Sequence, residues 1–220
     1  TVDHFTKNRR DLFSYNSKQY RMFQPPKGTR DILPEEMEKL QFIINVFVST
    51  AEKYGFKPLD TPVFEDFEVL SAKGGAGEEI NDEIYYFEDK SGRPLGLRFD
   101  FTVPLARFLA NNPNLTKPFK RYQTGKVWRY CNPQAKSWRE FAQLDIDTVG
   151  ANSMLADAEC LNFAVEFLQK IGLNDFSIRF NNKKLLEGVL FRMNVQKEKF
   201  SEVFRMIDKI DKIGIERVKK

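Results

Sequence analysis

The feature that most constrains this chain is a pair of long strand-forming runs, 119–130 and 138–149, separated by a short polar loop. Both runs are rich in aromatic and β-branched side chains, and the loop Cys131–Ser137 holds Asn132-Pro133, a turn-forming pair. Two such runs predict an antiparallel hairpin, and strands this long need cover on at least one face. Side chains alternate along a strand, so Val127 and Arg129 fall on one face, with Trp128 and Tyr130 on the other. On the returning strand Phe141, Gln143, Asp145 and Asp147 share a face. The hairpin thus offers Arg129, Gln143 and Asp147 to a common surface, which is either a site or a plain solvated face.

Helical segments to cover the hairpin stand on both sides of it. Pro34 with Glu35 and Glu36 has the make-up of a first helical turn. Leu40, Ile43, Ile44, Phe47 and Val48 then recur at helical spacing until Gly55, which predicts a helix over 34–54. Pro58 and Pro62 make 57–65 extended. Ile84–Phe87 and Leu95–Phe99 read as a hairpin around 88–93, and 101–110 as a helix starting near Thr102. Helices follow over 153–170, 183–191 and 200–210, with a strand at Phe176–Phe180. The Gly-rich stretch Ser71–Asn81 lacks the Gly-Lys-Ser/Thr of a phosphate-cradling P-loop and reads as a loop. The sum is an α+β fold, an antiparallel sheet flanked by helices, over residues 23–220. Residues 1–22, with Lys7, Arg9, Arg10, Lys18 and Arg21, form a basic N-terminal arm.

Composition removes several classes of chemistry. His4 is the single histidine, and Cys131 and Cys160 have no CxxC spacing, which argues against a Cys/His zinc site and against a histidine-based triad. Chemistry here must rest on Arg, Gln, Asp and a bound metal ion, with no metal site built from protein ligands. A net charge of +4 is compatible with a polyanion such as RNA or ATP. No apolar run is long enough to span a bilayer and no apolar leader opens the chain, so a cytoplasmic protein without membrane association is expected.

Four ordered segments carry a family resemblance. The block Lys120–Arg129, with Trp138-Arg139-Glu140-Phe141-Ala142-Gln143-Leu144-Asp145-Ile146-Asp147, resembles motif 2 of class II aminoacyl-tRNA synthetases, specifically their histidyl branch. Pro25-Pro26-Lys27-Gly28-Thr29-Arg30-Asp31 is similar to that branch's N-terminal signature. Asp60-Thr61-Pro62-Val63-Phe64-Glu65 resembles motif 1, which in this class builds a dimer interface. Leu97–Arg107 is similar to the amino-acid-binding segment.

The resemblance implies a histidine–tRNA ligase that uses ATP and Mg2+ to make histidyl-adenylate from L-histidine and passes histidine to tRNA-His. It implies that Arg129 holds the α-phosphate of ATP, with Arg139 supporting the ATP site. Asp100, Thr102 and Gln143 would receive the substrate ammonium, and Asp147 a ring N–H of the imidazole. Pro62 would lie at the two-fold interface of a homodimer. Cys131 stands where the family has an acid near the adenine amino group, and Ser137 where an arginine reaches the outer phosphates. Arg107 is expected to be a structural partner. The family's later segments (its inserted helical domain, motif 3 and anticodon-binding domain) match nothing in 1–220, so the catalytic domain is expected to be incomplete and the chain alone inactive. The alternative is a synthetase-like paralogue acting as a regulatory module or a sensor of tRNA or histidine, which the changes at Cys131 and Ser137 would suit.

Overall fold

The computed structural model describes residues 24–72, 82–132 and 138–213, without the side chains of Arg205 and 208–213. The arm at 1–22, most of the Gly-rich loop and Ser137 lie outside the described residues. Contacts divide the chain into two units, Thr1–Asn174 and Asp175–Lys220.

In the first unit the two long runs form strands β5 (Phe119–Trp128) and β6 (Glu140–Val149), paired antiparallel from Phe119↔Val149 to Trp128↔Glu140. Ahead of them come helix α1 (Pro34–Lys53), strands β1 (Lys57–Pro58) and β2 (Phe64–Asp66), and the short helix α2 (Phe67–Ser71). Strands β3 (Tyr86–Glu88) and β4 (Pro94–Leu97) and helix α3 (Thr102–Asn111) follow, and helix α4 (Met154–Lys170) comes after β6. β1 runs parallel to β5, pairing Lys57↔Arg121, and gives the order β1-β5-β6. A second, antiparallel sheet has the order β2-β4-β3. The Arg98 N–H donates to the Val63 carbonyl (2.9 Å), extending the β2–β4 ladder, and the Trp128 N–H donates to the Arg98 carbonyl (3.0 Å), tying the two sheets together.

The even-numbered face of the hairpin is the core. Tyr122, Leu144 and Ile146 pack against Phe47 and Ala51 of α1, Phe163 and Phe167 of α4, and Phe56. The rings meet edge to face, Phe47 lying 5.3 Å from Phe163 and 5.5 Å from Phe167. Full burial of one such side chain stabilises by roughly 1.5–3 kcal/mol, so this cluster orients both helices on the sheet. The helix periodicity is realised: α1 starts at Pro34 and stops at Tyr54, while Ser153 caps α4 by accepting from the Leu155 N–H.

On β5 the odd-numbered face is buried too, largely by polar groups, while on β6 it is half-buried. Arg121, Gln123 and Val127 are at most 1% exposed. Gln123 donates to Asp60 Oδ1 (3.0 Å) and Thr61 Oγ1 (3.1 Å). Arg98 donates to the carbonyls of Thr61 (2.6 Å) and Lys126 (3.1 Å). Gly125 permits this approach, because a Cβ there would sit 2.9 Å from Arg98 Nη2.

The second unit contains α5 (Lys183–Arg192), a 3-10 turn at Lys197–Lys199 and α6 (Phe200–Ile213). The strand expected at Phe176–Phe180 is absent: no partner strand pairs with these residues, and Phe180 is exposed. A period-2 pattern without a ladder to join does not make a strand. The extended stretch expected over 57–65 is likewise split, with only 57–58 and 64–65 in strands.

Candidate active site

Beyond the last pair of β5 and β6 the Arg129 N–H donates to the Arg139 carbonyl (2.9 Å), extending the hairpin one step. This keeps Arg129 on the odd face, in the alternation that runs through Val127, Gly125, Gln123 and Arg121. Its Nε donates to the Phe99 carbonyl (3.1 Å), and its guanidinium lies 5.2 Å from the Phe141 ring centroid. Arg139 is clamped at the same end: its N–H donates to the Gly28 carbonyl (2.7 Å) and its Nε to the Cys131 carbonyl (2.9 Å). Its guanidinium stacks over Tyr130 at 4.2 Å. Gly28, at φ +86°, makes the clamp possible, since a Cβ would come within 2.6 Å of Arg139 Cδ. Neither Arg129 nor Arg139 has a carboxylate within ion-pair distance among the described residues. Two cations are therefore fixed by carbonyls and ring faces, and their charge stays available to an anion.

Asp100 lies at the start of α3. Its Oδ1 accepts the N–H groups of Thr102 (3.1 Å) and Val103 (3.2 Å), so it caps the helix from one residue before the formal N-cap, Phe101. The cap does not use Oδ2. Burial pushes the Asp100 carboxyl up, against the two N–H groups and Arg129, while Asp145 adds to the rise. Thr102 is exposed in the first turn beside it.

Further along the same face, Gln143 pairs across from Gly125, Asp145 from Gln123, and Asp147 from Arg121. The Gln143 amide donates to both oxygens of Asp145, at 3.0 and 3.2 Å. Asp147 forms an ion pair with Arg121, which also lies 3.9 Å from Asp145. Burial pushes the Asp147 carboxyl up and Arg121 opposes it. Burial likewise pushes the Arg121 guanidinium down, against Asp147, Asp145 and Asp100. Nη2 of Arg121 is in close contact with Asp147 Oδ2, while Nε and Nη1 have no hydrogen-bond partner among the described residues.

The structure thus brings Arg129, Gln143 and Asp147 to one face, as the alternation predicts. Asp100 interacts electrostatically with Arg129 at one end and with Asp145 and Asp147 at the other. Arg139 belongs to the Arg129 end, where Cys131 contributes its backbone carbonyl; Cys131 and Cys160 form no disulfide. Pro62 is exposed, next to exposed Val63 and Phe64, with Phe87 against Phe64 at 6.2 Å. Arg107 is a structural partner, donating twice to buried Glu65. Sequence reasoning missed Arg121. Its signal was register: equal steps outward from the loop bring Arg121 opposite Asp147.

A family profile described as histidyl-tRNA synthetase matches residues 28–220. Histidine–tRNA ligase 1 of Bacillus anthracis is 45% identical over 194 residues, covering 88% of this chain and 45% of that protein. Histidine–tRNA ligase of Aeropyrum pernix is 46% identical over 199 residues, covering 90% and 45%. The crystal structure of histidyl-tRNA synthetase from Nostoc sp. PCC 7120 superposes with a TM-score of 0.75 at 36% identity, over 90% of this chain and 44% of that one. The chain spans a little under half the length of these relatives. With the profile matched from Gly28 onward and the α+β architecture shared with a solved relative, the chain belongs to the histidyl-tRNA synthetase family.

Proposed function

We propose that this chain supplies one wall of the activation site of a histidine–tRNA ligase, in which ATP and L-histidine form histidyl-adenylate before histidine passes to tRNA-His. The observation that carries this reading is the odd face of the hairpin: a cation at Arg129 without an ion pair among the described residues, a half-buried acid at Asp147, and Gln143 between them. The nucleophile in adenylate formation is the substrate carboxylate, already ionised, so the step needs neither a general base nor a histidine side chain. One carboxylate oxygen attacks the α-phosphorus in line and pyrophosphate leaves with the electron pair of the broken P–O bond. Arg129 binds the α-phosphate and stabilises the charge that develops on it. Removal of one preorganised donor of this kind typically costs roughly 2.7–4 kcal/mol.

Asp100 Oδ2 and Gln143 receive the substrate ammonium, with Thr102 beside them, and Asp147 accepts a ring N–H of the imidazole. An apolar competitor would leave the ligand-facing side of that acid desolvated without a donor, which is how such a site rejects it. Arg139 supports the ATP end, where Cys131 takes the place the family gives to an acid near the adenine amino group. Among the described residues no three His, Cys, Asp or Glu side chains are grouped to hold a metal. That suits Mg2+ carried in on the triphosphate, which draws its ligands largely from phosphate and water and neutralises charge there. No described helix is long and apolar enough to cross a membrane. A cytoplasmic homodimer, with α1 and the Pro62–Phe64 edge at the two-fold interface, completes the proposal.

The test is L-histidine-dependent exchange of pyrophosphate into ATP, measured on the natural gene product. Exchange with histidine, and none with other amino acids, is expected. Exchange that ignores histidine, or its absence in a protein that still binds histidine, would replace the ligase reading with a binding or regulatory one.

A further inference from the structure

Arg121 is a buried cation that the proposed mechanism does not use; the other, Arg98, is held by backbone carbonyls. Arg121 is 0% exposed, lies on the central strand of its sheet, and faces Asp147 and Asp145 across the hairpin. A guanidinium left in the interior with Nε and Nη1 unpartnered is costly, and an arginine can snorkel to water far more cheaply. Such a group persists where a neighbouring charge holds it. Here the neighbours are the two acids of the odd face.

We infer that Arg121 is a positioning residue for the side-chain end of the amino-acid site, holding Asp147 ionised and fixed so that its remaining lone pairs serve as an acceptor for a ring N–H. This rests on the proposed role of Asp147. The geometry explains why the cation sits beneath the acid. Ion pairing engages Asp147 Oδ2 from the interior side, while the side chain stays about one-third exposed, at 31%. The carboxylate is anchored from below and open from above.

Burial alone would protonate Asp147 more readily, and a protonated acid would donate where an acceptor is needed. The groups that bear on its charge are Arg121 from β5, Asp145 on its own strand, and Asp100 from the start of α3. From α4, Cys160 also senses Asp147, its thiol pushed up chiefly by burial. Arg121 is the one cation in that set, since the Gln143 amide that serves Asp145 is neutral.

The experiment follows the Asp147 carboxyl by carbon-detected NMR across pH in this chain, in Arg121→Gln and in Arg121→Lys. The pH dependence of histidine KM and kcat is followed in the natural gene product with the same changes. In the unaltered chain Asp147 is expected to be ionised at neutral pH. In Arg121→Gln its midpoint rises by about one pH unit or more, as removal of an adjacent charge requires. The acid-side loss of histidine affinity should rise with it, raising KM about tenfold near that midpoint with a smaller change in kcat. Arg121→Lys, which keeps a cation, should return the midpoint most of the way.

A purely structural role would lower the folded fraction without moving the midpoint or the KM profile of the folded protein. An Asp147 midpoint above 7 in the unaltered chain would overturn the inference even if Arg121→Gln fails to fold. So would an unchanged midpoint in a folded Arg121→Gln. If the midpoint moves and the histidine profile does not, Arg121 still holds Asp147 ionised, but its positioning role and the proposed histidine contact of Asp147 both fail.

Discussion

The two ends of the β5–β6 hairpin hold their arginines in opposite ways. At the end away from the connecting loop Arg121 is buried and meets carboxylates, so its charge is spent inside the protein. At the loop end Arg129 and Arg139 meet carbonyl oxygens and aromatic rings. One strand pair therefore carries a cation held by internal acids and two whose positions are fixed without an ion pair among the described residues. The difference lies in the partners the register selects, since all three are the same residue type.

The sharpest way to break this comparison is to remove one arginine from each class and read activity against stability. Arg129→Ala should lower histidine-dependent pyrophosphate exchange about a hundred- to a thousandfold, the cost of a preorganised donor. Its urea midpoint should barely move, because one neutral hydrogen bond and a ring contact hold Arg129. A large loss of stability would mean that the loop-end cation is structural after all.

Arg98→Met probes the buried side instead. It strips the donors from the Thr61 and Lys126 carbonyls in a site only 4% exposed. Unfolding in urea should show a loss of about 2–4 kcal/mol, since buried acceptors lose their partners. A loss under about 0.5 kcal/mol, the size of an ordinary surface change, would show that this polar network is not what joins the sheets.

Gly28→Ala sharpens the loop end. The added Cβ meets Arg139 Cδ at 2.6 Å and the residue stands at φ +86°, so a cost of about 1–3 kcal/mol is expected. ATP binding, followed by fluorescence of Trp128 and Trp138, should weaken in the same variant. Unaltered ATP binding would detach the Arg139 clamp from the nucleotide end.

The smallest effect lies outside the hairpin, where α1 meets α4. Lys170 first, then Lys53 and Tyr54, hold the Glu166 carboxyl down, from 4.5 to about 2. Because the folded value lies below the unfolded one, this contribution is present above roughly pH 4.5 and is lost as pH falls toward 2. Glu166→Gln should flatten the acid limb of stability in that window and change little at pH 7. An unaltered acid limb would show that the exposed cluster contributes nothing measurable.

Much of this was legible in the sequence, for identifiable reasons. Helix α1 follows from Pro34 and the spacing of its apolar residues, and the hairpin from two long β-type runs around a polar loop. The common face of Arg129, Gln143 and Asp147 follows from strict alternation. What failed needed a partner that local pattern does not show. Phe176–Phe180 alternates correctly but meets no strand. Arg121 carries no assigned role until the register places it opposite Asp147. Asp100, a ligand by resemblance, also caps α3 through its Oδ1.

The central claim is that one face of one hairpin binds two different ligands at its two ends. Chemical-shift mapping on this chain tests it most directly, because millimolar ligand reveals even weak sites. L-Histidine should perturb Gln143, Asp145 and Asp147 together with Asp100, while ATP should perturb Arg129, Arg139 and the Trp128 and Trp138 indoles. Histidine shifts confined to the Trp138 end, or ATP shifts centred on Asp147, would contradict the account.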